Sequence, residues 1–151
     1  MRVGLISDTH GLLRPEALDF LAGSDHIVHG GDIGDPAILE RLAGIAPLTV
    51  VRGNNDMAAW ARAIPVTACI DLDGVRICAL HDLADLGSGP AAGVRVVVSG
   101  HSHRPACSER DGVLYVNPGS AGPRRFTLPI AVAELRIDAG RVAAHLVTLI
   151  P

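Results

Sequence analysis

Six short polar clusters carry nearly all the residues of this chain that could do chemistry. They are Asp8-Thr9-His10, Gly31-Asp32, Gly53-Asn54-Asn55-Asp56, His81, Gly100-His101-Ser102-His103 and Asn117-Pro118-Gly119-Ser120. Their donors are carboxylate and amide oxygens and imidazole nitrogens, with no thiolate among them. That mixture suits manganese, iron, cobalt, nickel or zinc, and it disfavours both magnesium and a structural thiolate zinc site. In an extended segment alternate side chains project to the same side, so Asp-x-His and His-x-His each offer two donors to adjoining positions. Glycines ahead of Asp32, Asn54 and His101 let the backbone turn sharply and approach closely. Taken singly, each cluster is an ordinary loop sequence. Their order, each behind its own apolar run, points to one convergent site.

The elements that must carry these clusters alternate through the first half of the chain. Arg2–Ser7 is an apolar run of strand type. Arg14 to Ala22 has helical spacing, with Pro15 suited to the first turn and Leu18, Leu21 and Ala22 on one face. His26–His29 is a second strand leading into Gly30-Gly31-Asp32. A second helix spans Pro36 to Ala43, with Asp35 as N-cap, Pro36 in the first turn and Ile38, Leu39 and Leu42 at the helical period. Leu48–Val51 is a third strand, ending in Arg52-Gly53. Strands alternating with helices predict right-handed βαβ units and a parallel sheet. Open sheets of that kind gather ligands at the carboxyl ends of their strands.

The second half changes character. Thr67–Leu72 and Val75–Leu80 flank Asp73-Gly74, a strong hairpin signal. Asp111-Gly112 joins Ala106–Arg110 to Val113–Val116, and Asp138-Ala139-Gly140 joins Ile130–Ile137 to Arg141–Leu149. Val94–Val98 is continuously apolar, as a strand buried on both faces should be. The expectation is a set of α/β units followed by a largely antiparallel set of strands. No linker, repeat or low-complexity tract divides them, so residues 1–151 read as a single domain. A two-residue loop at 73–74 also sets Cys69 opposite Cys78, with Cα atoms about 4.5 Å apart, near the lower limit for a disulfide. The expectation is two reduced thiols, as in a reducing cytosol, with oxidation as the alternative.

Composition removes competing chemistries. The 13 basic residues are all arginine, so no Schiff base and no Gly-Lys-Ser/Thr phosphate loop can form. A net charge of −3 argues against extended nucleic acid or a membrane surface as partner. With Trp60 and Tyr115 as single aromatics, a base-stacking platform is not expected. No stretch approaches the roughly 18 apolar residues of a membrane span. The three cysteines form no C-x-x-C pair, and a cytoplasmic, soluble protein is expected. At 48% hydrophobic residues, the chain can bury a core without staples.

The ordered clusters resemble the signature of the calcineurin-like metallophosphoesterases, namely D-x-H, G-D, G-N-x-[D/E], H and G-H-x-H. The resemblance runs from Asp8 to Ser120 and is closest to the small phosphodiesterase branch similar to the retromer subunit Vps29. It implies a four-layer αββα sandwich of two mixed β-sheets flanked by helices, with a dinuclear metal site at the strand ends. Carried over by position, Asp8, His10 and His103 would hold the first metal and Asn54, His81 and His101 the second, with Asp32 bridging both. The implied cofactors are two divalent transition-metal ions, manganese first, with nickel, zinc, iron or cobalt as alternatives. The implied activity is hydrolysis of a phosphoester, a phosphodiester first, by in-line attack of a metal-bridging hydroxide, with Asp32, Asn54 and His101 as catalytic residues. The substrate would be a small phosphodiester or a nucleotide-like molecule. A homo-oligomer is left open.

Two departures qualify that reading. Many family members carry His where this chain has Asn55, and an amide cannot act as general acid near pH 7, so good leaving groups should be preferred. After His81 the family continues into a full helix, but here Gly87-Ser88-Gly89-Pro90 interrupts one, so that outer layer should be trimmed. His29 is expected beside the site or in packing, Asp56 is expected to fix the Asn54 loop, and Arg124 is a candidate phosphate contact. A Vps29-like protein-binding scaffold without turnover, or a phosphomonoesterase or nucleotide hydrolase, stand as alternatives.

Overall fold

The computed structural model describes residues 1–151. The β-branched and aliphatic runs form strands β1 (Arg2–Ile6), β2 (His26–His29) and β3 (Leu48–Val50), which lie side by side and parallel. Between them run helices α1 (Pro15–Leu21) and α2 (Pro36–Ala43). Proline opens each helix, where its missing N–H costs nothing. Asp35 caps α2 by accepting from Ala37 N–H at 2.9 Å, as its position in the sequence predicted.

The remaining strands are β4 (Thr67–Leu72), β5 (Val75–Leu80), β6 (Val94–Val98), β7 (Ala106–Arg110), β8 (Val113–Asn117), β9 (Ile130–Asp138) and β10 (Arg141–Ile150). One five-stranded sheet has the order β10-β9-β1-β2-β3 and the other β4-β5-β6-β8-β7, so both are mixed. All three expected hairpins form, as β4–β5, β7–β8 and β9–β10. The second sheet is nevertheless less antiparallel than its sequence suggested, because β5, β6 and β8 run parallel at its centre. Turn residues report only on neighbouring strands, and the segments joining β5 to β6 and β6 to β8 carry no such signal.

Period-two alternation divides each strand between two environments. Val3 and Leu5 of β1 enter a core between the sheets with Val28, Ile77, Val96, Val98 and Leu135, while Ile6 faces α1 and α2 with Leu21, Ile27, Ile38 and Leu42. Gly4 lies on that helix side, where a Cβ would collide with the Leu21 side chain. Leu5 and Leu135 are fully buried, so truncating either to Ala should cost about 2–5 kcal/mol. The outer face of the second sheet is thin. Cys78, Leu80, Val94 and Val97 are covered there by Leu86, on a 3₁₀ turn spanning Leu83–Leu86, together with Val113 and Tyr115. The fourth layer is thus reduced to one short turn, as the Gly/Pro cluster required.

The expectation of reduced thiols is corrected. Cys69 and Cys78 pair across β4 and β5 as foreseen, but they are joined in a disulfide with Cα atoms 4.1 Å apart. The same hairpin register that aligned two small side chains also brings their sulfurs into bonding reach. Cys107 is free and exposed. No helix is long and apolar enough to cross a membrane.

Candidate metal centre

The clusters converge at the carboxyl ends of β1, β2, β3, β5 and β6. Asp8 and His10 follow β1, Asp32 follows β2, Asn54 follows β3, His81 follows β5, and His101 and His103 follow β6. Asp8, His10 and His103 form one donor group and Asp8, Asp32 and His81 a second, each with ligand atoms within 4.8 Å of one another. His103 Nε2 lies 3.3 Å from Asp8 Oδ1 and 3.2 Å from His10 Nε2. His81 Nε2 lies 3.2 Å from Asp32 Oδ2, and His10 Nε2 is 3.7 Å from the same oxygen. Asn54 and His101 sit at the exposed side, with His101 Nδ1 3.1 Å from Asn54 Oδ1. All seven expected ligands are therefore brought to one region, though Asn54 and His101 form its outer edge.

Backbone conformation bends the side chains inward. Asp8, His10, Asp32, His101 and His103 all have positive φ, between 44° and 72°. Non-glycine residues adopt this region rarely and at a cost of about 1–3 kcal/mol each. Such strain concentrated in one cluster is typical of a site whose packing overrides local preference. The three glycines act mainly by admitting close approach. A Cβ on Gly53 would strike Asp32, one on Gly100 would strike Ser7 and Asp8, and one on Gly31 would come within 2.8 Å of His81 Nδ1. Only Gly31 among them also needs a positive φ.

The polar groups around the donors are mostly assigned. Ser7 Oγ donates to Asp8 Oδ2 at 2.7 Å, and His101 N–H donates to the same oxygen at 3.2 Å. His81 Nδ1 is 2.8 Å from the Gly30 carbonyl, so Nδ1 carries the proton and Nε2 is left as a donor atom. Asp56 accepts from Ile33, Gly34 and Gly53 N–H and fixes the Asn54 loop as expected. Asn117 and Ser120, from the rim motif, anchor the neighbouring loops through the Gly100 and Asp8 carbonyls. Asp8 Oδ1 and His81 Nε2, both deeply buried, have no hydrogen-bond partner. Buried polar atoms without partners are costly, and a cation between them is what these two would satisfy. The donor set and its orphaned atoms fit divalent metal.

Electrostatics agree with that fit. Burial works against charge on Asp8, yet the neighbouring His10 and His103 imidazoles, the Ser7 hydroxyl and the charge on His81 hold its carboxyl far below the usual range. Asp32 is lowered to about 2, burial being outweighed by His81 and Asn55. His81 is raised despite burial, because Asp32 and the Gly30 carbonyl favour its charged form. His29 is pushed down to about 4, chiefly by complete burial. Its Nδ1 accepts from Gly31 N–H and its Nε2 lies 3.0 Å from Thr9 Oγ1, which in turn donates to the Ile33 carbonyl. His29 thus ties the loops after β1 and β2 together as a neutral ring.

Arg124 is not brought into this group. Its guanidinium donates to the Leu128 and Pro151 carbonyl oxygens, which ties a surface loop down rather than offering a phosphate contact.

The model of the calcineurin-like phosphoesterase superfamily domain matches residues 1–140. The chain belongs to that superfamily. This calcineurin-like phosphoesterase is 33% identical to a probable metallophosphoesterase of Methanothermobacter thermautotrophicus, over 97% of this chain and 92% of that one. Its fold is similar to that of Chaetomium thermophilum Vps29, with a TM-score of 0.77 at 23% identity over 98% of this chain and 97% of that one. It is also similar to an archaeal phosphodiesterase, with a TM-score of 0.76 at 21% identity over 97% of this chain and 100% of that one. As a metallophosphoesterase by family, the protein is a metal-binding phosphoric ester hydrolase. Sequence reasoning missed one part of its surroundings. Arg52, Arg62, Asp82 and Asp85 join Asn54 and His81 around a cavity of about 710 Å³, although none belongs to a motif.

Proposed function

We propose that this calcineurin-like phosphoesterase is a phosphodiesterase that holds two divalent transition-metal ions, manganese first among them, and acts on small phosphodiesters. The observation that carries the reading is the pair of overlapping donor groups sharing Asp8, with Asp32 facing both His10 and His81. Asp8, His10 and His103 would hold one ion and Asn54, His81 and His101 the other, with Asp32 between them. Divalent ions supply positive charge against phosphoryl oxygens and a water acidic enough to lose its proton near neutral pH.

The chain's own residues do the rest. Asp8 and Asp32 stay ionised across the working range, so they present charge without waiting for a proton to leave. The Gly30 carbonyl fixes His81 in the tautomer that frees Nε2. His101, exposed like Asn54 and 3.7 Å from Asp82, stands where a phosphoryl oxygen of the substrate would enter. Asn55 offers an amide where many relatives have an imidazole, so no side chain there protonates the leaving oxygen.

Asn55 and the thin second wall also favour an alternative, a binding scaffold without turnover. Assays with bis(p-nitrophenyl) phosphate and p-nitrophenyl phosphate, on protein loaded with Mn²⁺, Ni²⁺ or Zn²⁺, separate the readings. The diester should be cleaved at least tenfold faster. Preference for the monoester makes the protein a phosphomonoesterase, and two bound metals without cleavage of either ester favour the scaffold.

A further inference from the structure

The cavity of about 710 Å³ that begins at Asn54 and His81 extends well beyond the room one phosphate needs. Two arginines line it, Arg52 from the end of β3 and Arg62 from just after the 3₁₀ turn Ala59–Ala61. Neither guanidinium has an ion-pair or hydrogen-bond partner, whereas the other arginines that grip acids or carbonyls do so elsewhere. Arg52 is two residues from Asn54, so its Cα is within about 7 Å of that of a candidate metal ligand. Arg52 N–H donates to the Pro65 carbonyl at 2.8 Å, which folds the loop back and keeps Arg62 on the same cavity.

The acids of the cavity do not cancel this. Asp56 is consumed by backbone N–H groups, and Asp82 accepts from Ala84 N–H and faces His101. Asp85 stands with Asp82 on the turn after β5 and pairs with neither arginine. An anion is therefore repelled from that turn and drawn to the arginine side. Met57, Val66 and Leu80 supply the apolar side chains of the lining and suit a short carbon chain between two charged ends. A guanidinium without a carboxylate is the usual receptor for a carboxylate or phosphate, which it binds through paired hydrogen bonds.

We propose that Arg52 and Arg62 form a subsite for a second anionic group, so that the substrates are phosphodiesters with one ester arm ending in a carboxylate or a phosphate. This rests on the phosphoesterase reading above, with the reacting phosphoryl group at the metal centre. In a substrate of this class the arm would lie along Met57 and Val66 while the far anion meets the arginines.

Calorimetry on the metal-loaded protein with butyl phosphate, 4-(phosphonooxy)butanoate and butane-1,4-diyl bisphosphate tests the subsite without turnover. At least one of the two ligands with a second anionic group should bind tenfold or more tighter than butyl phosphate, and which one identifies the preferred anion. That ratio should fall towards one in Arg52→Gln and in Arg62→Gln. In parallel, p-nitrophenyl butyl phosphate and its 3-carboxypropyl analogue, which share a leaving group, should differ in kcat/KM by a similar factor in the parent protein only. Equal binding of all three ligands, or a ratio unchanged by both substitutions, overturns the subsite even if both esters are cleaved. Preferential binding with neither ester cleaved would keep the subsite and overturn the hydrolytic reading.

Discussion

Asn55 holds Asp32 with both of its donor nitrogens. Its backbone N–H donates to Asp32 Oδ1 and its side-chain Nδ2 donates to Asp32 Oδ2, each at 2.9 Å. The position that supplies an imidazole in many relatives here orients the carboxylate expected to bridge two metals. Groups that orient a metal ligand are typically worth 10–100-fold in metal affinity or activity. Asn55→Ala should therefore lower metal affinity by about tenfold, read by titration of the metal-free protein. Unchanged affinity would reduce Asn55 to a bystander.

The same substitution of amide for imidazole sets the leaving-group dependence. General acid assistance is worth about 10²–10⁴-fold, and Asn55 provides none. Across aryl esters of one phosphodiester, log kcat/KM should fall steeply as the pKa of the leaving phenol rises. A flat line would mean that another group supplies the proton.

Glycines that admit neighbours to the donors should be intolerant of one added carbon. A Cβ at Gly53 meets Asp32, and one at Gly100 meets Ser7 and Asp8. Gly53→Ala and Gly100→Ala should each weaken metal binding by an order of magnitude or more while far-ultraviolet circular dichroism stays that of the parent. Alanine at Gly44, whose helical φ of −71° any residue adopts and which lies at the end of α2, is the control. Normal metal binding in Gly53→Ala would show that the loop relaxes freely.

His29 links the site to acid stability. Its folded-state pKa of about 4 lies below the ordinary 6.5, so between those values the unfolded chain binds the extra proton. Its contribution is present above pH 6.5 and is lost as pH falls towards 4, up to about 3 kcal/mol. His81 acts in the opposite sense. With its folded pKa raised, its contribution is present at low pH and lost as pH rises. Urea unfolding of the metal-free protein between pH 4 and 7 should show a shallower acid decline in His29→Gln than in the parent. Should that variant not fold, the His29 ring resonances of the parent should report a neutral imidazole at pH 5. A protonated ring there contradicts the account.

The disulfide makes a simple prediction. Unfolded in denaturant without reductant, freshly isolated protein should present one titratable thiol, Cys107, and three after reduction. Three at the outset would restore the reduced pair.

Much of this was legible because strand runs and turn dipeptides are local. The apolar runs at Arg2–Ile6 and Val94–Val98, the Asp35 cap and the turns at Asp73-Gly74 and Asp111-Gly112 each carry their own signal. The glycines beside Asp32, Asn54 and His101 were legible too, since residue type alone implies close approach. The parallel centre formed by β5, β6 and β8 was not, because sheet order is decided by long-range packing rather than by turns. Nor were the positive φ values of Asp8, His10, Asp32, His101 and His103, since Asp and His tolerate that region better than most residues but enter it only where the assembled site requires it. The disulfide turned on whether two sulfurs bond, which register constrains but does not decide. Arg52 and Arg62 stood outside every motif, and Arg124 stood in a suggestive loop. Only the fold reveals that the first two are unpaired in the cavity and the third is spent on carbonyl oxygens.

Asp32 offers the most direct test of the central claim, since it alone is expected to serve both ions. The account predicts that the parent protein, measured by elemental analysis after dialysis against Mn²⁺, binds two metals per chain and cleaves bis(p-nitrophenyl) phosphate. Asp32→Ala, folded by circular dichroism, should lose metal from both positions and lose at least 10³-fold in kcat/KM. Two retained metals with diester cleavage near the parent rate would contradict it.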